Sequence, residues 1–115
     1  MNAVLDLTAR WYELAPGVRM SPLFGEGAML NLIEFEPGAQ VPEHAHPHEQ
    51  LGMILEGELV LRIDGVDHRL PSGHGYQIPG GTSHAAWTEE GMRCRVLDVF
   101  QPVREDYRQR VDAES

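Results

Sequence analysis

Short apolar runs alternate with Gly- and Pro-centred breaks along the chain. Leu59-Val60-Leu61-Arg62-Ile63 is followed by Asp64-Gly65 and then by Val66-Asp67-His68-Arg69-Leu70. Asp-Gly between two such runs predicts a tight hairpin, because both central residues tolerate φ > 0. Pro16-Gly17, Pro37-Gly38, Pro71-Ser72-Gly73 and Pro79-Gly80-Gly81 offer further turns, with Pro presetting φ and Gly supplying the left-handed conformation. Short strands separated by turns every eight to twelve residues or so predict an all-β sandwich or barrel. The pattern predicts no helix before residue 103. Val103–Val111 reads as one helix, its acids early and Arg108 and Arg110 late, which suits the helix dipole. No linker, low-complexity tract or repeat interrupts the chain, so residues 1–115 read as one domain.

Period-two alternation assigns faces. Leu59, Leu61 and Ile63 share one side, opposite Glu58, Arg62 and Asp64. Met92, Cys94, Val96, Asp98 and Phe100 share another, opposite Arg93 and Arg95. The arginine side reads as solvent, so Asp98 falls on an inward, apolar row. A buried carboxylate needs a hydrogen-bond partner, a shifted pKa or a wet cavity; the remaining possibility is a different register. Cys94, on the same row, reads as a small packed hydrophobe.

Composition narrows the function classes. The 115 residues carry a formal net charge of −9, which argues against nucleic acid, whose binding needs excess cationic contacts to phosphates. It also offers no attraction to anionic membrane surfaces. The chain has no Lys, which removes Schiff-base chemistry and a Walker-type phosphate loop. The single Cys94 forms no internal disulfide. No apolar run has membrane-spanning length and MNAVLDLTAR lacks signal-peptide character, so the default expectation is a cytoplasmic protein.

Three of the six His fall at 44, 46 and 48. In extended backbone His44-Ala45-His46 turns both imidazoles to one face, a common start of a transition-metal site. Gln50 has the same parity in the next run, and His84 follows the Pro79-Gly80-Gly81 turn. These residues resemble the two motifs of the cupin superfamily. Gly38, five residues, His44-x-His46, three residues, Gln50, six residues and Gly57 match the first motif (38–57). Gly73, five residues, Pro79-x-Gly81, two residues, His84, three residues and Thr88 match the second (73–88). All but two of the named positions agree: Gln50 replaces a metal-binding Glu, and Thr88 replaces an Asn that is not generally a ligand. A carboxamide oxygen can still coordinate, but being neutral it leaves the metal more positive and a stronger Lewis acid.

The resemblance implies a double-stranded β-helix, the jelly-roll cupin barrel, with a short C-terminal helix, commonly paired as a homodimer. It implies one divalent transition metal (Fe, Mn, Ni, Co or Zn) held by His44, His46, Gln50 and His84, and a small-molecule substrate. The tail from Asp98 to Tyr107 further resembles small cupins that linearise 4,5-unsaturated monouronates in pectin and alginate breakdown. That likeness implies that Asp98, Phe100 and Arg104 approach the substrate: Asp98 moving a proton, Arg104 pairing with a carboxylate, Phe100 covering the ring. The related alternatives are a polyketide-type cyclase, a metal-dependent dioxygenase and a non-catalytic binding or sensor module. His48 reads as pocket lining or surface, His68 and His74 as surface, and Tyr76 and Trp87 as packing in the core or a dimer interface.

Overall fold

The structure, a computed structural model, describes residues 4–114. Among these the strands are β1 (Tyr12–Ala15), β2 (Val18–Phe24), β3 (Met29–Phe35), β4 (Gln40–His44), β5 (Glu49–Ile63), β6 (Val66–Pro71), β7 (Gly75–Ile78), β8 (His84–Trp87) and β9 (Cys94–Gln101), followed by helix α1 (Glu105–Ala113). Every pairing is antiparallel, and the architecture is the expected jelly roll. Each of the five Gly- or Pro-centred breaks is a turn. Asp64 and Gly65 have φ of 49° and 79°, and Ile63 faces Val66 across the hairpin.

The two sheets meet in β5. Its first half pairs with β9 and β7, and its second half with β6 and β8. The change of partners coincides with a bulge between Ile54 and Glu56, the usual device by which a strand turns a corner between packed sheets. Gly57 completes the bend with φ 81°. A Cβ there would lie 1.9 Å from the Arg93 carbonyl oxygen, so both the conformation and the space demand glycine.

Inward rows from both sheets form the core: Val18, Met20, Ile54, Leu59, Leu61, Ile78 and Val96 are almost fully buried. From Cys94 on, β9 keeps the expected alternation, with Cys94, Val96, Asp98 and Phe100 buried; Met92, expected on the same row, precedes the strand and is exposed. Burial, with the Asp98 charge nearby, pushes the Cys94 thiol up to about 12, so it packs as an inert hydrophobe. Thr88, at the position of the missing Asn, donates to the Glu36 carbonyl oxygen at 2.9 Å and ties β8 to the β3–β4 link. Trp87 is half-buried under the Arg62 guanidinium, 5.1 Å from its ring centre.

The helix begins two residues later than the sequence pattern suggests. Arg104 is its N-cap, with extended φ and ψ of −81° and 102°, because its side chain turns into the barrel and its amide points to Met29 Sδ at 3.4 Å. Arg110, in the last turn, donates to the Glu13 and Leu14 carbonyl oxygens at 3.1 and 3.0 Å, which pins the helix against β1. No helix among the described residues is long and apolar enough to cross a membrane.

Replacing Gly57 with Ala is expected to lower stability by at least about 2 kcal/mol, or roughly 8 °C in Tm for a chain of this size. Thermal melts followed by circular dichroism will measure it.

Candidate metal centre

β4 ends on His44, the link into β5 carries His46, and β8 opens on His84, which pairs with His44 across the ladder. His46 therefore lies beyond the strand, not in continuous extended backbone with His44 as the pattern suggests. The turn brings its ring closer than strand spacing would. Ring centres are 5.4 Å apart for His44 and His46, 4.3 Å for His44 and His84, and 4.9 Å for His46 and His84. One potential ligand atom from each lies within 4.8 Å of the others.

Each ring is held by a carbonyl oxygen two residues away in sequence. His44 Nδ1 meets Pro42 O at 2.8 Å, His84 Nδ1 meets Thr82 O at 2.8 Å and His46 Nδ1 meets His48 O at 3.1 Å. A carbonyl can only accept, so Nδ1 carries the proton and Nε2 keeps its lone pair. Burial, reinforced by the charges of Arg104, His84 and His44, holds His46 down to about 4. Burial likewise lowers His84.

Those lone pairs converge without a partner. His84 Nε2 is buried and makes no hydrogen bond. His46 Nε2 faces Gln50 Oε1 at 3.2 Å, one acceptor against another. Two ligands each about 2.1 Å from one ion stand about 3.2 Å apart at a bond angle near ~100°, so a cation resolves the conflict. Three imidazole nitrogens and a carboxamide oxygen suit a borderline divalent transition metal, and such a set leaves coordination positions open.

His44, Gln50 and His84 share a cavity of ≈ 40 Å³ with Asp98, Phe100 and Arg104. Six of the seven residues singled out in motifs and tail thus line one space, and His46 stands beside it. Asp98 has a hydrogen-bond partner, a shifted pKa and a cavity beside it. The Tyr76 hydroxyl donates to its Oδ1, the cavity adjoins it, and burial pushes its carboxyl up to about 6 against hydrogen bonds from Tyr76 and Gln50 and the charge of Arg104. Arg104 is buried, its guanidinium 3.9 Å from the Tyr107 ring centre and 5.1 Å from that of Phe100. Asp106 accepts from its Nε at 3.2 Å and Nη2 at 2.7 Å, which leaves Nη1 for a ligand.

Tyr76 is the residue that packing arguments from the sequence underrate: its ring is largely enclosed, but its hydroxyl belongs to the cavity wall. The signal was Gly52, an interior strand glycine, which marks a close approach by a neighbouring group. His48 is half-buried beside His46, 5.5 Å between ring centres, outside the converging group of three. His68 and His74 are exposed.

The sequence profile of the cupin domain matches residues 31–100. The dimethylsulfoniopropionate lyase DddW of Ruegeria pomeroyi is 34 % identical over 85 residues, covering 73 % of this chain and 54 % of the lyase, so the chain spans about half the length of that relative. An RmlC-like cupin from Shewanella frigidimarina superposes with a TM-score of 0.85 at 28 % identity, over 93 % of this chain and 96 % of the other. KdgF from Halomonas sp. superposes with a TM-score of 0.81 at 27 % identity, over 90 % of this chain and 94 % of the other.

Titration with Co²⁺ or Zn²⁺ is expected to saturate at one ion per chain. At a hundredfold excess over Kd it should stabilise the fold by about 2.7 kcal/mol, on the order of 10 °C in Tm. His84→Ala should abolish both effects, as read by elemental analysis and melting.

Proposed function

The chain belongs to the cupin family, and from that premise we propose that it is a metal-dependent enzyme that isomerises or ring-opens an unsaturated monouronate or a related sugar acid. The observation that carries this reading is the common cavity of Asp98, Phe100 and Arg104 with His44, Gln50 and His84. The tail's resemblance to uronate-linearising cupins supports it further. The likeness to KdgF, which runs along nearly the whole length of both chains, points the same way.

The bound metal would act as a Lewis acid on a substrate oxygen and stabilise developing enolate charge. Arg104 Nη1 pairs with the substrate carboxylate, while Asp106 holds the rest of the guanidinium in plane. Asp98 takes and returns the proton: its raised pKa keeps the carboxylate basic yet largely ionised near neutral pH. Phe100 presents its ring to the apolar face of the sugar. The cavity of ≈ 40 Å³ admits the reacting end and a few waters, so the body of the ring lies across the mouth. The net charge of −9 gives no long-range steering of an anion, and local attraction falls to Arg104 and the metal.

The homodimer belongs to the same reading. Leu51, Met53 and Leu55, on the outer side of β5, are 39 to 46 % exposed. Val99 and Leu97 of β9 lie beside Leu51 and Met53 in the ladder. A continuous apolar sheet face of this kind suits a second copy of the chain.

With the zinc-loaded protein under nitrogen, absorbance of a 4,5-unsaturated monouronate should fall faster than by spontaneous decay. Asp98→Ala should cost at least about a hundredfold in kcat, and Arg104→Ala should act mainly on KM. No acceleration at saturating metal would sink the uronate reading, and strict oxygen dependence would replace it with an oxidative one. Light scattering should report a dimer that Met53→Glu converts to monomer.

A further inference from the structure

Gln50 stands where the cupin motif usually has a metal-binding Glu, and a carboxylate lies close by on a neighbouring strand. Tyr76, Gly52 and Asp98 lie in register on the adjacent strands β7, β5 and β9. The Tyr76 ring crosses over Gly52, whose absent side chain makes the passage: a Cβ there would stand 2.1 Å from Tyr76 Cζ and 2.6 Å from Asp98 Oδ1. Past that gap the Tyr76 hydroxyl donates to Asp98. Gln50, two residues before Gly52 on the same face, lines the same cavity as Asp98 and Tyr76.

A carboxylate accepts only, so the Gln50 carboxamide beside it presents its nitrogen, not its oxygen, to Asp98. That assignment sends Oε1 the other way, to the position 3.2 Å from His46 Nε2. With an uncharged acceptor–donor group at 98 the amide could turn over and present N–H to His46, which would satisfy the imidazole and cancel a ligand. Conversely, a Glu at 50 would set two carboxylates against each other in a buried site.

We infer that Asp98 is a positioning residue for the metal. Held by Tyr76 across Gly52, it fixes the Gln50 carboxamide with its oxygen toward the imidazoles, and Gln50 with Asp98 is a two-residue substitute for a single carboxylate ligand. The inference rests on the metal-centre reading and adds to the proton transfer proposed for Asp98. It makes residues 50 and 98 a coupled pair in which the negative charge is needed once, at either position.

The test is a double-mutant cycle on Co²⁺ affinity by calorimetry, with the visible spectrum of the bound ion and the Tm of the metal-free protein recorded alongside. Asp98→Asn should weaken Co²⁺ binding by ten- to a hundredfold, the range for an outer-shell partner, and shift the Co²⁺ ligand-field bands. Gln50→Glu should lower the metal-free Tm, because it sets two carboxylates against each other in the empty site. Gln50→Glu with Asp98→Asn should restore affinity to within about threefold of the parent and recover the metal-free Tm. Additive losses in the double variant, or an Asp98→Asn protein with unchanged affinity and spectrum, overturn the inference. If Asp98→Asn does not fold, Tyr76→Phe provides the same reading, with a loss of at least about threefold expected and no loss overturning the inference. Failure of the metal-centre reading looks different: His84→Ala would then bind Co²⁺ as the parent does.

Discussion

Three imidazoles that each spend their N–H on a backbone carbonyl have nothing left to offer one another but lone pairs. This constraint organises the interior of the barrel. His44, His46 and His84 are bound through Nδ1 to carbonyl oxygens two residues away, so their Nε2 atoms cannot pair among themselves. Burial lowers the pKa of both His46 and His84, which makes relief by protonation costly. Such a cluster is costly in an empty protein and favourable around a cation. The jelly roll supplies what the cluster needs: two adjacent strands, β4 and β8, that face His44 with His84, and a short link that folds His46 over them.

Much of this was legible in the residue pattern, for reasons that differ by element. Turns were readable because Pro and Gly impose φ locally; the Asp64-Gly65 hairpin needed no information beyond its own neighbours. The inward row of β9 was readable from period-two alternation, and with it the anomaly of Asp98. The metal-site candidates followed from motif spacing, which reports strand lengths and turns and so encodes geometry indirectly. The alignment of Tyr76, Gly52 and Asp98 was not readable. It depends on the register of three strands brought together from distant parts of the chain, and register between non-neighbouring segments leaves no local mark except a glycine where a side chain is expected. The start of α1 was also missed, because Arg104 has ordinary helix propensity and is drawn out of the helix by its place in the cavity wall.

Charge behaves differently at the two scales. The molecule as a whole is acidic, while its cavity holds neutral imidazoles, one carboxylate and one guanidinium. The excess of acid sits on the outside, where water screens it, and the acid in the wall accepts a hydrogen bond from Tyr76. Net charge therefore informs about the company the protein keeps in solution, and the cavity follows its own account of donors and acceptors.

One strand keeps the proposed site and the proposed contact surface apart by parity alone. Along β5, Gln50, Gly52 and Ile54 turn inward while Leu51, Met53 and Leu55 turn out. A single-residue insertion or deletion between 49 and 54 would exchange the two sets, seating leucine and methionine against the histidines and exposing the carboxamide to solvent. Length changes in this segment should therefore be all but forbidden during divergence, even where substitutions are accepted. The Asp64-Gly65 turn at the far end of the same strand lies outside both faces, and its Asp64 amide donates to the Ser83 carbonyl oxygen at 2.9 Å, beside the start of β8.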